Sequence, residues 1–376
     1  MTTRFPSRSG RRARRTDTDT VERFAPARGP TIVDVARFAG VSVSTVSRVV
    51  RDHPDVGTET RERVQAAIES LGYRPSPIAR ALVSGHTRLL ALLVSDITNP
   101  FYPQLAKSVE QEAKRDDYTV IICNTGDRTA ETRRYIERLL LQGLDGVVHA
   151  SVARDERVVL QLMGDPRRVV FTNRRPASKD ASYVVSDNQG GAAELTRHLL
   201  LHGHRRIGFI AGPSYARNAA ERLQGFRIAM GEIADAHPLV AKGDFTAAGG
   251  GHAVHQWLSS PARPTAIIAT NDSVALGVLE ALTDLQLRVP EDMALAGFDG
   301  VRLAASRVFD LTTVDQHIDQ MGRDAVRMLL RQLSDSGPSV PAHEVLPTQL
   351  LLRGSTNDRP TLSRQDLPAG PHAVST

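Results

Sequence analysis

Residues 31–50 read TIVDVARFAGVSVSTVSRVV. A threonine with an acid three residues later is the capping-box arrangement, so a helix is predicted to start after Thr31, with Asp34 answering its cap. Ile32, Val35, Ala36 and Ala39 then share one face at helical spacing. Gly40 stops the helix, because glycine takes the left-handed conformation at little cost. Ser42 can cap a second helix, VSTVSRVV, with Val46, Val49 and Val50 facing inward and Val43, Ser44, Ser47 and Arg48 facing out. The spacing Ala36, Gly40, Val46 meets three needs of a crossed helix pair. A small residue sits at the crossing, a glycine at the turn and an apolar side chain at the seal. Such a helix-turn-helix places its second helix in the major groove of DNA. The alternative is a structural hairpin that touches no nucleic acid.

Position assigns roles. Val43, Ser44 and Arg48 sit where side chains reach base edges. Arginine can bind guanine O6 and N7 together, and valine can contact a thymine methyl. Ser42, Thr45 and Ser47 are expected on phosphates, as is the start of a third helix at Thr58. Thr31 is counted with the same surface. After the turn-prone DHPDVG, Thr58 is expected to cap that third helix, with Val64, Ala67, Ile68 and Leu71 inward and Gly72 at its end.

Charge agrees with this placement. Residues 1–88 carry 16 Lys and Arg against 9 Asp and Glu, whereas the remaining residues carry 31 against 33. The basic excess therefore lies in the first quarter, where a polyanion would bind. Most of it belongs to residues 1–29, which lack apolar periodicity and read as a disordered basic tail. No run approaches the roughly 18 apolar residues of a membrane span. The arginine-rich start lacks the apolar core of a secretory signal. A cytoplasmic location is expected. The single cysteine, Cys123, excludes an internal disulfide, and its apolar surroundings in VIICN predict a buried, inert thiol.

From residue 88 the pattern changes. The apolar runs LLALLVSD, YTVIICNT, DGVVHAS, RRVVFTN, SYVVSD, RRIGFIAG, TAIIATN and MALAGFD alternate with amphipathic helices. Alternation of this kind predicts an α/β fold of doubly wound parallel sheets covered on both faces. The strand-helix unit at 89–115 recurs in kind at 205–230, which points to two lobes. A cleft between such lobes opens at the carboxyl ends of the strands.

The run at 31–50, followed by TRERVQAAIESLGYRPSPIARAL, resembles the start of the lactose-repressor-like (LacI/GalR) family of bacterial regulators. The resemblance continues through DITNPFY, LQGLDGVV, SDNQGGA, GHRRIGFIAGP, ERLQGF, KGDF, RPTAIIATND, LRVPEDMALAGFD and LTTVDQ, over about residues 30–355. Each piece is weak alone, but the ordered series is specific. It implies a ligand-responsive repressor that binds a palindromic operator as a homodimer or higher oligomer, with a core like a periplasmic sugar-binding protein. The expected domains are the tail at 1–29, the DNA-binding domain at 30–75, a hinge helix and linker at 76–87, the core at 88–357 and a flexible tail at 358–376. Within the core the first lobe is expected to take about 88–187 and 316–343, and the second about 188–315 and 344–357.

The resemblance also assigns residues. Leu82 falls where the family has a leucine that wedges into the operator from the minor groove. An apolar wedge can unstack a base step and kink the duplex. A helix of this length is marginal alone, so its folding would be coupled to DNA and to a second hinge. Ala79 is small enough to let two hinges approach, and Arg80 can serve the backbone. Val83 departs from the basic or polar residue common there. In the core, Phe101 and Phe245 fall where aromatic walls pack a ring, and Asn173, Asn218, Arg222, Asn271 and Asp299 where polar groups fix a ligand. The bland alternatives are core packing for the two phenylalanines, helix capping for Asn271 and Asp299, and a solvated helix position for Arg222. Two aromatics with amides, an arginine and a carboxylate suit a polyhydroxylated effector, a sugar first and a nucleoside second. Asn173 replaces the aspartate common there and Arg174 adds a charge, so a phosphorylated or acidic metabolite stays open.

No cofactor, metal or catalytic residue is expected. The sequence has no G-x-G-x-x-G after a strand, no Walker loop, no G-x-S-x-G and no metal-spaced Cys/His set, which argues against an enzyme. His202 and His204 in LHGHRR are expected to be structural. A sugar-binding protein without a regulatory role is the remaining alternative.

Overall fold

The computed structural model describes residues 30–50, 53–73, 87–151, 154–261, 263–335, 337 and 340–356. The tail expected at 1–29, the hinge helix with Ala79, Arg80 and Leu82 (all but its last residue, Thr87) and the tail expected at 358–376 lie outside them. The chain divides into two units, Met1–Ala79 and Arg80–Thr376.

The first unit has α1 (Ile32–Ala39), α2 (Val43–Val50) and α3 (Thr58–Leu71). The capping box forms: the Asp34 amide donates to Thr31 Oγ1 at 3.4 Å, and the Thr31 amide donates to Asp34 Oδ2 at 2.9 Å. Gly40 ends α1 at φ 64°. Ser42 caps α2, with its Oγ accepting from the Thr45 amide at 3.1 Å. One expectation fails: Gly57, not Thr58, occupies the cap position of α3, and Thr58 is the first helical residue. Glycine serves there because it needs no side-chain bond, so the threonine hydroxyl is left facing solvent. Val35, Ala36, Ala39, Val46, Val49, Val64 and Ala67 form the core, with Ile68 and Leu71 packed against it. Tyr73, just past α3, closes the same cluster at 7% exposure.

The second unit holds two six-stranded sheets. The first is built from β1 (Leu89–Val94), α4 (Phe101–Arg115), β2 (Thr119–Asn124), α5 (Thr129–Leu140), β3 (Gly146–His149), α6 (Glu156–Met163), β4 (Val169–Thr172) and β5 (Ser182–Ser186). The second follows with α7 (Asn188–Leu201), β6 (Arg206–Ala211), α8 (Arg217–Gly231), β7 (His237–Lys242), α9 (Ala247–Leu258), β8 (Ala266–Ala269), α10 (Asp272–Asp284), β9 (Ala294–Asp299) and β10 (Thr312–Asp315). The chain then returns through α11 (Ile318–Ser334) and β11 (His343–Leu346) and ends its described course at β12 (Gln349–Leu351). The strand orders are β11-β5-β4-β3-β1-β2 and β12-β10-β9-β8-β6-β7. All neighbours are parallel except β10 and β12. Inner strands such as β1 and β9 are apolar and buried along their length because helices cover both faces.

Two departures from the sequence reading concern strands. β11 pairs with β5 from His343↔Tyr183 to Leu346↔Ser186, so residues 344–346 belong to the first lobe, not the second. A short run such as HEVL does not reveal which of two sheets will accept it. The apolar runs also left out β7, β10 and the three-residue β12. β7 is a mostly exposed edge, and β10 is buried but polar, with the Thr313 hydroxyl donating to Asp272 Oδ1 at 2.6 Å. Cys123 is buried as expected, and burial pushes its thiol up to about 11.

Helices α9 and α10 meet through glycine. A Cβ on Gly277 would lie 1.8 Å from the Ala247 carbonyl oxygen, and one on Gly250 would lie 2.3 Å from that of Val274. Helix propensity alone predicts that Gly277→Ala stabilises by about 1 kcal/mol. Overpacking costs about 1–3 kcal/mol and sometimes more, and here the obstacle is backbone that cannot rotate away. Gly277→Ala is therefore expected to lower Tm, and a thermal melt at or above that of the parent would refute this packing.

Candidate functional sites

The exposed face of α2 is the first candidate. Val46 and Val49 are buried, whereas Val43 is 42% exposed and Ser44 and Arg48 face solvent. No acid among the described residues engages Arg48, so its guanidinium is available for another partner. Thr45 and Ser47 are half-buried. Ser42 Oγ lies 2.7 Å from Ser44 Oγ and 2.8 Å from Thr45 Oγ1, which draws three hydroxyls together at the N-terminus of α2. Thr31 and Thr58 are exposed at the starts of their own helices. A helix N-terminus ringed by hydroxyls suits phosphate oxygen, and the valine, serine and arginine face suits base edges.

The second candidate is a cleft of about 260 Å³ in the core. All seven residues singled out for a ligand line it: Phe101, Asn173, Asn218, Arg222, Phe245, Asn271 and Asp299. Phe101 opens α4 and Asn173 follows β4 in the first lobe; the other five come from the second. The Asn218 amide reaches Asn173 Oδ1 across the lobes at 3.3 Å. Asn173 and Phe245 adopt φ 63° and 68°, left-handed values that side chains seldom take, and Asp299 sits at φ 131°.

Arg222 is not a solvated helix residue. It is 2% exposed and lies 3.9 Å from the Phe298 ring centroid. Its Nε donates to Asn188 Oδ1 at 2.9 Å and its Nη1 to the Thr270 carbonyl at 2.5 Å and Asp299 Oδ1 at 3.3 Å. Gln316 Nε2 donates to the same carboxylate oxygen at 2.6 Å, so Asp299 organises the site instead of capping a helix. Burial raises the Asp299 pKa while Arg222 opposes the rise. Burial raises Asp272 too, with the Asp299 charge adding to it. Asn271 combines both of its readings. Its Oδ1 caps α10 through the Val274 amide at 2.8 Å, and its amide nitrogen donates to the carbonyl of Phe245, another cleft residue, at 3.5 Å.

Arg174 departs from expectation. It is buried and turned away from the cleft, donating to the Ser151 carbonyl at 2.9 Å, Glu156 Oε2 at 2.9 Å and Asp155 Oδ1 at 3.3 Å. Two internal carboxylates outcompete the cleft for it, so it supplies no charge to a ligand there. His202 and His204 are structural: their Nδ1 atoms pair with the His198 carbonyl at 2.8 Å and Thr265 Oγ1 at 3.0 Å.

The reading missed further lining residues, among them Asp96, Tyr102, Asn124, Asp127, Asp244 and Thr246. Asp96 and Tyr102 belong to DITNPFY and Asp244 to KGDF, two runs already singled out. Asn124 ends β2 and Asp127 follows it, where the rule that ligands gather at strand carboxyl ends could have found them.

Known proteins resemble both units of the chain. Residues 31–76 match a model described as bacterial regulatory proteins, lacI family, and residues 196–356 match a periplasmic binding protein-like domain. The ribose operon repressor of Escherichia coli (strain K12) is 34% identical over 332 residues, spanning 86% of this chain and 99% of that protein. Among solved structures, the transcriptional regulator CelR-cellobiose complex is 33% identical, with a TM-score of 0.65 over 87% of this chain and 99% of that one. The lac repressor dimer bound to operator and the anti-inducer ONPF is 27% identical, with a TM-score of 0.76 over 88% and 99%.

Proposed function

The chain belongs to the lacI family of bacterial regulatory proteins, a ligand-responsive DNA-binding transcriptional regulator, and on that premise we propose how it works. It represses by binding a palindromic operator as a homodimer. Val43, Ser44 and Arg48 read base edges, and Thr31, Ser42, Thr45, Ser47 and Thr58 meet phosphates. A small hydroxylated effector occupies the cleft, held by the seven residues placed there. The observation that carries the ligand half is that residues from both lobes, assigned by family resemblance, line one cavity. A ligand that prefers one lobe arrangement shifts the population toward it. The hinge segments then fold or separate on DNA according to which arrangement prevails. The names of the relatives support this reading: one is a ribose operon repressor, and another was solved with cellobiose.

The test is genome-wide mapping of bound sites, followed by gel shifts on those sites with and without sugars. Protein that retards no genomic fragment under any condition would end the proposal. Leu82→Ala is expected to weaken specific operator binding by about tenfold, because a wedge offsets the cost of unstacking a base step. Ligand-induced stabilisation of the core should survive that substitution. Unchanged operator affinity and DNA bending would remove the wedge.

A further inference from the structure

Among the described residues, the cleft wall carries Asp96, Asp127, Asp244 and Asp299 against one cation, Arg222. That cation is already committed to Asn188, Thr270 and Asp299. Asp96 and Asp244 each use one carboxylate oxygen on the amide and hydroxyl two residues on, those of Thr98 and Thr246. Their other oxygens take no hydrogen bond within the described residues. An ionised carboxylate only accepts hydrogen bonds, as does a phosphate oxygen, so this wall calls for a ligand that donates.

Asp127 is the most constrained of the four. It follows Gly126, and the two take φ 59° and 55°, consecutive left-handed residues. Hydroxyls from Ser95 and Ser151 (2.9 Å) both donate to its Oδ1. Its Oδ2 faces the other lobe, where the Tyr215 hydroxyl donates from 3.4 Å. Three further hydrogen bonds cross the gap nearby, all at 3.4 Å: Arg154 to the Tyr215 and Ser214 carbonyls, and Arg217 to the Pro176 carbonyl. All four are at the long end of the hydrogen-bond range, so a small closure would shorten them together. Arg154 donates to main chain, Arg217 donates to main chain and forms an ion pair with Glu221 at 3.6 Å, and neither lines the cleft.

We infer that Asp127 is a specificity-determining residue of the cleft. Its carboxylate accepts hydroxyls of an uncharged, hydroxyl-rich effector, Tyr215 clasps it from the opposite lobe, and the acidic wall turns away phosphorylated and carboxylated ligands. This rests on the cleft being the effector site. The clasp makes one side chain both a ligand contact and a lobe contact, so discrimination and closure depend on the same group.

The experiment is thermal shift and calorimetry on the full chain. The probes are D-ribose, D-glucose and cellobiose beside D-ribose 5-phosphate and D-glucose 6-phosphate, with Phe245→Ala as the variant that spoils the cleft. At least one unphosphorylated sugar is expected to bind, ten times more tightly than any phosphate ester, and to lose binding in Phe245→Ala. Asp127→Asn should weaken that sugar by about tenfold and narrow its advantage over the esters. Tyr215→Phe, which removes one hydroxyl from a partly exposed side chain and leaves folding intact, should weaken it about threefold. A phosphate ester that binds best and is lost in Phe245→Ala overturns the inference while the effector cleft stands. Binding untouched by Phe245→Ala overturns both. A panel in which no sugar binds overturns the hydroxyl-rich class, and wild-type affinity in Asp127→Asn and Tyr215→Phe overturns the role of Asp127.

Discussion

Arg222→Met is expected to abolish effector binding and to destabilise the core by about 3–5 kcal/mol, the cost of removing one partner from a buried ion pair. Methionine roughly fills the volume but leaves Asp299, Asn188 Oδ1 and the Thr270 carbonyl without their donor. In a unit of this size that loss lowers Tm by roughly 10 °C. The deficit should depend on pH with a definite sign. Burial raises both carboxylates in the folded state, so the folded chain holds protons that the unfolded chain releases. Stability from such a group is retained below its unfolded pKa, near 4, and is lost as pH rises toward the folded value. Without the guanidinium Asp299 holds its proton more tightly, so the variant's deficit should be larger at pH 8 than at pH 5. Arg222→Lys should recover part of the stability but not the full site, because a lysine cannot reproduce the planar fork that spans Asn188, Thr270 and Asp299. A methionine variant melting within about 2 °C of the parent, with no pH trend, would show that the cation does not hold the acids together.

Arg48→Ala is expected to cost about 1–3 kcal/mol in specific operator binding, roughly a five- to 150-fold loss. The loss should be confined to one base position in each half-site, measured on a set of single-base operator variants. Arg48 is exposed and free of acidic partners within the described residues, so α2 need not rearrange when it is removed. Equal weakening on every sequence, with a shallower salt dependence, would instead place Arg48 on a phosphate.

The parts of this protein legible in its sequence are those whose physics is local. Thr31 and Asp34 are three residues apart and satisfy each other in α1; Gly40 ends that helix because of its own backbone freedom; Val46 and Val49 are buried by helical period. The apolar strands declared themselves because burial on both faces demands a continuous run. Phe101, Asn173, Asn218, Arg222, Phe245, Asn271 and Asp299 were placed by ordered resemblance to a family, and the cleft gathers them.

What the sequence could not decide is where a side chain goes when distant groups compete for it. Arg174 neighbours Asn173 at the cleft, yet Asp155, Glu156 and the Ser151 carbonyl hold it inside the first lobe. The alternative of a solvated helix position for Arg222 fails only because the fold brings Asn188, Thr270 and Asp299 around it. HEVL joined the first sheet because β5 offered it a parallel edge, 160 residues away in register at Val345↔Val185 and its neighbours by a path no local pattern encodes. Asp127 carries no motif, and only the approach of Tyr215 from the second lobe makes it a bridge. Caps, turns and periods are determined within one or two helical turns of chain, so the sequence alone specifies them. Ion pairs, edge pairing and contacts across the cleft depend on which distant partners the packed lobes present, and only the tertiary structure settles that competition.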